Sequence, residues 1–222
     1  MGQGAVARKR LEGLLTPKTF AHSLAVQDRA RALAADFGAA LDELRSMDEI
    51  PDVFFRFGVG HFKSVALFKV QSNMVMGWRG AGLGVVNELI RGIVVPVQSD
   101  TFLARGIDEG PYAGQAGGNA VEERITEQLG ATADAHVVTG AVKVGERPVL
   151  VVCGLTEDAA PDAEVVNQIG ELCSLASKAV LRIIMERKKA KKAEAEAEAP
   201  AEETPKAEAE APSEETPKAE AE

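Results

Sequence analysis

The sequence predicts an α+β fold in which a largely antiparallel sheet carries helices before, between and after its strands. Two pairs of apolar segments are joined by short turn sequences at residues 71–73 and 145–146, which is the pattern of β-hairpins. Long amphipathic segments flank these hairpins, and hairpin-built sheets with helices outside them form layered α+β structures. The 222 residues suit one soluble domain, or at most two small ones.

The first two predicted elements are helical and precede the strands. Residues Thr19–Arg45 have apolar positions at near-helical spacing, and Thr16-Pro17 marks the entry to a helix. A short helical turn is predicted over Pro51–Phe57. Its three phenylalanines cannot all face one core, so Phe54 and Phe55 are candidates for an exposed protein interface. Full burial between the first helix and the sheet is the alternative.

Three strands are predicted in the next part of the chain. Val65–Val70 and Met74–Trp78 are apolar segments separated by Gln71-Ser72-Asn73, which is typical of a hairpin loop. Ile93–Val97 is a third apolar segment. Its Pro96 indicates an edge position or an irregularity, because proline cannot donate a backbone hydrogen bond to a neighbouring strand.

A second hairpin follows a short helix. The helix is predicted over Ala120–Leu129 and ends before Gly130, a typical C-cap residue. His136–Val144 and Arg147–Leu155 then flank Gly145-Glu146. Two residues led by glycine between apolar strands favour a type II′ turn.

The last predicted element is a long helix over Asp162–Lys189, with Asp162 as its N-cap. Its apolar residues repeat at alternating steps of three and four, which is a heptad-like seam. The seam consists of Val166, Ile169, Cys173, Ala176, Val180 and Ile183. Such a helix would be about 42 Å long at ~1.5 Å per residue. Since this exceeds the span of a small sheet, we expect the helix to pack against the first helix or a second copy of the chain.

The net charge of −9 is concentrated at the C-terminus. Residues 193–222 contain 11 Glu and 2 Lys, which accounts for the whole excess. The segment Ala197–Lys206 recurs almost unchanged at Ala209–Lys218. This tail has no large apolar residue, so we expect it to be disordered. A neutral body and an acidic tail also disfavour nucleic-acid binding.

Several classes of protein are disfavoured by the composition and motifs. Two cysteines do not make a disulfide scaffold, and they indicate a reducing, cytoplasmic compartment. No apolar stretch is long enough for a transmembrane helix, and the N-terminus lacks the apolar core of a secretory signal. The three histidines have no partner at metal-ligand spacing, and phosphate-loop and nucleophile motifs are missing. We therefore expect no metal, no cofactor, no membrane insertion and no enzymatic activity.

The segment 99–119 is the main candidate for a binding loop. It contains five glycines and is predicted to be irregular, and long loops of this kind often bind ligands. Trp78 and Arg79 are expected to reach it from the end of the first hairpin, with arginines meeting an anion and aromatic rings packing on a ligand. The candidate ligand-binding residues are Trp78, Arg79, Phe102, Arg105 and Tyr112. In the alternative, the rings fill the cavity and the arginines pair with local carboxylates.

The glutamates of the short helix and the two cysteines are expected to be structural rather than catalytic. Glu122, Glu123 and Glu127 are expected to form the solvated face of the short helix. Cys153 lies in a predicted strand and Cys173 on the apolar seam, so both are expected to be ordinary buried thiols.

The order of elements resembles that of divergent GAF-like domains of bacterial signalling proteins. These domains carry a strand that ends in Gly-Trp-Arg-Gly-x-Gly, here Gly77–Gly82. A later element is apolar-Pro-apolar followed by Ser and a short helix, here Val95–Val97 and Ser99–Arg105. A final hairpin over Ala135–Leu155 and a long C-terminal helix complete the likeness, which covers roughly residues 51–187.

The resemblance implies a regulatory module without chemistry of its own, which binds a small ligand, dimerises or contacts another protein. The Asn-Lys-x-Phe-Asp-Glu signature of the cyclic-nucleotide-binding members is missing. The two cysteines do not match the pocket thiol that bilin-attaching members need. We therefore expect a non-catalytic cytoplasmic module that acts by protein–protein interaction, with a small-molecule sensor as the alternative.

The expected partners are proteins. A small GTPase or its regulator is one candidate, in a motility or polarity circuit, and a homodimer through the terminal helices is another. The candidate partner-binding residues are Phe54, Phe55, Ile183, Ile184, Arg187, Lys188 and Lys189. The expected organisation is a flexible N-terminus at 1–18, a GAF-like domain at 19–190 and a disordered tail at 191–222.

Overall fold

The computed structural model describes residues 36–157 and 159–198, with side chains described up to Lys192. The chain divides into two units after Glu186. The first unit, Met1–Glu186, contains every strand of the described chain. In the second unit, Arg187–Glu222, the described residues 187–198 are helical. The predictions for residues 1–35 and for the repeats of the acidic tail lie outside the described residues.

A six-stranded sheet forms the centre of the first unit, and all of its strand pairs are antiparallel. Its spatial order is β3-β2-β1-β6-β5-β4. The strands are β1 (Ser64–Gln71), β2 (Met74–Gly82), β3 (Val94–Pro96), β4 (Tyr112–Gln115), β5 (His136–Val144) and β6 (Arg147–Thr156). The predicted antiparallel α+β sheet is therefore confirmed, and the predicted edge position of the Pro96 strand is confirmed with it.

Helices precede, separate and follow these strands. They are α1 (36–43), α2 (Ile50–Gly58), α3 (Asn87–Arg91), α4 (Phe102–Asp108), α5 (Ala120–Gln128) and α6 (Ala163–Glu198), with a 3-10 turn at Met47–Glu49. The first predicted helix thus ends at residue 43 rather than 45. The predicted turn around Pro51 is a full helix, α2, with Pro51 in its first turn, where proline is tolerated because its missing N–H has no helical partner.

Both predicted hairpins are present, and their turns follow from their residues. Ser72 and Asn73 have φ of 51° and 62°, so both central positions are left-handed, as a type I′ turn requires. Gly145 has φ of 62°, which agrees with the type II′ turn expected there. The primed turns match the right-handed twist of the flanking strands.

The sheet separates two hydrophobic cores, because successive side chains of a strand point to opposite faces. Leu67 belongs to the core under α1, α2 and α6, which also contains Phe54 and Ile169. Its neighbour Phe68 belongs to the core under α3, α4 and α5, which also contains Phe102. The first unit is therefore a three-layer arrangement with one helical layer on each face of the sheet.

The long C-terminal helix α6 packs along the first core. Its predicted seam is buried from Ile169 to Ile183, and Val166 is half-buried. The end of α1 contacts it, because the Arg182 guanidinium donates to the carbonyl oxygens of Leu41 and Leu44 at 2.9 and 3.1 Å. The sequence analysis expected this helix to pack against the first helix or a second copy of the chain. The structure shows the first of these contacts, with α1.

Two regions differ from the sequence expectation. Segment 99–119 is not irregular, since it contains β4 and also α4, which agrees with the short helix that the resemblance implied. Both helix starts are marked by N-cap residues in the sequence. The Thr101 hydroxyl accepts a hydrogen bond from the Ala104 N–H at 3.3 Å, and the Asn119 side chain caps α5 in the same way. The helix α6 continues through Glu198, beyond the residue at which the disordered tail was predicted to begin.

Candidate functional site

The glycines of the Gly77–Gly82 motif let α3 lie directly on β2. A Cβ atom added at Gly77 would stand 1.7 Å from the Ile90 carbonyl oxygen. One added at Gly80 would meet the Val85 side chain at 2.8 Å. The Gly80 N–H also donates to the Asn87 side-chain oxygen at 2.9 Å. The motif therefore fixes α3 and the loop before it against the sheet.

This close packing leaves apolar side chains on the outer surface of the same segment. Leu83 is 74% exposed, Leu89 49% and Val86 45%. We call these three residues the edge surface. Ile90, on the inner side of α3, is fully buried, so the helix is anchored by one residue while its neighbour Leu89 faces outward. The sequence reasoning missed this surface because it assigned no element between β2 and β3.

A β-bulge directs Trp78 and Arg79 to the same face of the sheet. Arg79 pairs with Leu67 and Gly77 pairs with Phe68, so Trp78 is the extra residue of the bulge. Trp78 packs against the first core, and the Lys69 ammonium lies 4.0 Å from its ring centroid. An ordinary strand would have sent the two side chains to opposite faces.

Arg79 is engaged by α2 and the turn before it. Its guanidinium donates to an Asp52 carboxylate oxygen at 3.1 Å and to the Asp48 carbonyl oxygen at 3.3 Å. It also lies 5.7 Å from the Phe55 ring. This is the arrangement of the alternative interpretation, in which the arginine pairs with a local carboxylate.

Arg105 is engaged in a second cluster on the opposite face. Its guanidinium donates to an Asp100 carboxylate oxygen at 2.9 Å and to the carboxylate of Glu122. It also lies 4.9 Å from the Tyr112 ring. Both predicted anion-binding arginines therefore already have carboxylate partners within the fold.

Glu122 is fully buried, so its predicted place on a solvated helix face is wrong. One carboxylate oxygen accepts the Gly118 N–H at 2.9 Å, and the other accepts the N–H of Phe102. Two helix N-terminal regions thus share one carboxylate, which satisfies backbone donors that a helix start leaves free. The spacing Asn119-x-x-Glu122 is a capping pattern that the sequence did offer. Glu123 and Glu127 are exposed as expected.

The five candidate ligand-binding residues do not come together. Strands β2 and β4 are separated by β1, β6 and β5 in the sheet. Trp78 packs on the first core, whereas Tyr112 packs on the second. Phe102 is fully buried, so it has no surface to offer a ligand. The expectation that Trp78 and Arg79 reach the segment 99–119 is therefore wrong.

The candidate partner-binding residues differ in their exposure. Phe54 and Ile183 are each only 1% exposed and belong to the first core, which corrects their assignment to an interface. Phe55 and Ile184 are half-buried against the same core. In the second unit, the side chains of residues 187–189 are exposed.

Neither thiol has the environment of a nucleophile. Cys153 and Cys173 are both buried and not disulfide-bonded. Burial raises the pKa of both thiols, to about 12 for Cys173, so each remains protonated at neutral pH. Within residues 36–157 and 159–198, no group of three or more His, Cys, Asp or Glu is placed to hold a metal ion. The helices described there are also too short or too polar to cross a membrane.

Solved structures with a similar fold include GAF domains. The GAF domain of a phosphoenolpyruvate-protein phosphotransferase from Coxiella burnetii matches with a TM-score of 0.55 at 9% identity, over 71% of this chain and 95% of its own. The GAF domain of A. aeolicus nlh2, in an inactive state, matches with a TM-score of 0.50 at 11% identity, over 73% and 99%.

A third match is an enzyme. The free methionine-R-sulfoxide reductase of Neisseria meningitidis, in complex with its substrate, has a TM-score of 0.50 at 11% identity, over 68% of this chain and 87% of its own. No family model and no curated protein matches the sequence. At these identities the likeness concerns the fold alone, and the fold expected from the sequence is confirmed: the chain has a GAF-like fold.

Proposed function

We propose that this chain is a non-catalytic regulatory domain that acts by binding a protein partner through the edge surface. Its fold is shared with GAF domains. The observation that carries the proposal is the exposure of Leu83, Val86 and Leu89 on one short segment. Apolar side chains grouped in this way on a folded domain mark interaction sites more often than isolated ones do.

The edge surface is also rigid, which lowers the entropic cost of binding. Gly77 and Gly80 bring α3 against β2, and Asn87 ties the start of α3 to the β2 backbone. In addition, β2 is the only described strand that pairs with β3, so the outer edge of β3 offers backbone hydrogen bonds to a partner. A small GTPase or its regulator, in a motility or polarity circuit, is the first class of partner to test.

A sensor that uses Arg79 and Arg105 is less well supported. A ligand there would have to displace Asp52 from one arginine, and Asp100 and Glu122 from the other. Removing Glu122 would also leave backbone N–H groups without acceptors, at a cost of roughly 1–3 kcal/mol for each buried group.

A reductase activity like that of the Neisseria meningitidis enzyme is also less well supported. Reduction of a sulfoxide by a thiol needs an accessible thiolate. Both cysteines of this chain are buried, and burial raises their pKa values. We therefore expect no turnover of free methionine sulfoxide in the presence of dithiothreitol, and measurable turnover would overturn the non-catalytic assignment.

Site-specific photo-crosslinking in the host tests the proposed interface. A photoreactive phenylalanine analogue at Leu89 should form an adduct with a specific protein. The same probe at Val121, which is similarly exposed at 47% on α5, should not. The adduct should disappear when Leu83→Asp is added, with the circular dichroism spectrum unchanged. Equal adducts from both positions, or an adduct that survives Leu83→Asp, would refute the edge surface as the binding site.

A homodimer through α6 is a second proposal that rests on a separate observation. Leu181 and Met185 are 48% and 50% exposed, one turn apart on α6. Two such residues on successive turns form a small apolar face that a second copy would cover. Sedimentation should give a dimer for the whole chain and a monomer for Leu181→Asp/Met185→Asp. A monomeric parent chain would remove this proposal without affecting the edge surface.

A further inference from the structure

A cleft of about 260 Å³ lies between the α4–β4 connection, β5 and α6. The connection contributes Gly110 and Pro111, the strand contributes Ala141 and Lys143, and α6 contributes Ser174 among others. None of these residues belongs to the edge surface or to the five residues predicted to bind a ligand. We call it the Lys143 cleft.

The cleft exists because β4 covers only part of β5. Their pairing runs from Gln115 and His136 to Tyr112 and Thr139, so β5 has no strand neighbour on this side beyond Thr139. Pro111 precedes β4 and has no N–H with which to continue the ladder. At Gly110, φ is +95° and no atom lies within 4 Å of an added Cβ. The chain therefore turns away here and leaves open space.

The backbone at the base of the cleft is held in place by α6. The Lys143 N–H donates to the Ser177 hydroxyl oxygen at 3.0 Å. That hydroxyl in turn donates to the Cys173 carbonyl oxygen at 2.8 Å. This chain of two hydrogen bonds fixes the end of β5 relative to the helix, so the position of the lysine is preorganised.

Within the described residues, the ammonium group of Lys143 makes no ion pair, although the residue is half-buried. Lys63, which is also half-buried, pairs with Glu157 at 2.6 Å. Arg105 pairs with two carboxylates. An ammonium group that has no carboxylate partner among the described residues is available to pair with an anion that enters the cleft.

The rest of the lining suits the body of a small organic molecule. Ser174 has an exposed hydroxyl that makes no hydrogen bond to another described residue. Ala141 and the side chain of Cys173 supply apolar walls, and burial keeps the thiol protonated by raising its pKa. The volume lies below the ~300–1,000 Å³ typical of drug-sized ligand sites, which limits the occupant to a small molecule.

We propose that the Lys143 cleft binds a small organic anion, whose carboxylate or phosphate group pairs with the Lys143 ammonium and accepts a hydrogen bond from Ser174. Its apolar part lies against Ala141 and Cys173. A molecule bound in this way would bridge β5 and α6. The inference does not depend on partner binding by the edge surface, and either can fail without the other.

The test is a titration of the ¹⁵N-labelled whole chain followed by amide shifts, at constant ionic strength. The probes are propionate, inorganic phosphate and the neutral analogue propionamide. We expect saturable shifts at Gly110, Lys143 and Ser174 with at least one of the two anions, and none with propionamide. Saturation by propionate alone identifies a carboxylate site, and saturation by phosphate alone a phosphate site.

Matched variants separate this site from general charge attraction. Lys143→Gln should weaken binding about tenfold or more, as loss of one charge-assisted hydrogen bond implies. Lys178→Gln removes an exposed lysine of α6 that does not line the cleft, and should leave binding unchanged. Ser174→Phe should block the cleft with the lysine intact. The proposal is overturned if neither anion saturates these amides, or if Lys143→Gln and Lys178→Gln bind equally.

Discussion

The carboxylate of Glu122 and the guanidinium of Arg105 form an ion pair that joins α5 to α4. Glu122 is fully buried, and the same carboxylate accepts the N–H groups of Phe102 and Gly118. The ring of Tyr112 also packs against the Arg105 guanidinium. The ion pair therefore holds together the layer that covers one face of the sheet.

Replacing Glu122 should destabilise the domain substantially. Glu122→Gln removes the negative charge and leaves Arg105 and two backbone N–H groups poorly compensated. Breaking a buried pair from one side costs about 3 kcal/mol. Urea unfolding measures the free energy of unfolding. Glu123→Gln, on the exposed side of the same helix, should change it by less than about 0.5 kcal/mol. Equal losses in the two variants would contradict a structural role for the pair.

Gly77→Ala should weaken the packing of α3 on β2. Its methyl group would stand 1.7 Å from the Ile90 carbonyl oxygen, so α3 must shift or β2 must bend. We expect a loss of about 2 kcal/mol or more, in the range of overpacked cores. Gly60→Ala is the control, because its Cβ would meet nothing closer than 3.9 Å. Thermal unfolding of the two variants measures the difference, and a Gly77→Ala protein as stable as Gly60→Ala would show that α3 does not depend on this glycine.

The stability of the domain should fall in acid partly through Glu157. The Lys63 side chain, 2.6 Å away, lowers the pKa of Glu157 below its ordinary value of 4.5. A carboxyl whose folded-state pKa is depressed stabilises the fold above its unfolded-state pKa, and this contribution is lost as the pH falls through the folded-state value. Urea midpoints between about pH 6 and about pH 3 should therefore decline less steeply for Glu157→Gln.

The control for this pH series is Glu146→Gln, which changes an exposed carboxylate in a hairpin turn. It should follow the parent chain throughout the series. If Glu157→Gln declines as steeply as the parent chain, the Lys63 pair contributes nothing to acid stability.

Both cysteines should be protected from alkylation in the folded protein. Cys153 and Cys173 are buried, and burial raises their pKa values, so modification requires opening of the structure. Iodoacetamide at neutral pH should label the native chain at least about a thousandfold more slowly than the urea-unfolded chain. Fast labelling of either cysteine in the native state would reopen the question of a thiol-based activity.

Local patterns were sufficient to predict most of the secondary structure. The turn sequences at Ser72-Asn73 and Gly145-Glu146 identify their hairpins because they favour the backbone angles that such turns need. The seam of α6 predicts its buried face because helical periodicity is a property of the segment itself. The irregular loop predicted for segment 99–119 is wrong, because Thr101 and Asn119 are N-cap residues at which α4 and α5 begin.

The candidate sites were less predictable, because they depend on contacts between distant parts of the chain. Burial of Glu122 requires Phe102 and Arg105, which lie 20 and 17 residues away. The exposure of Leu89 depends on which side of α3 meets β2. No local pattern carries that information.

An antiparallel layered domain of hairpins and amphipathic helices can be predicted from the sequence, since hydrogen bonding and side-chain alternation act over short distances. Which residues share a surface depends on the packing of the whole fold. The bulge at Trp78 turns it and Arg79 to one face, and the strand order places Tyr112 across the sheet from them. Register and strand order come from the packing of the whole chain, so residues that look like one pocket in the sequence lie apart in the fold.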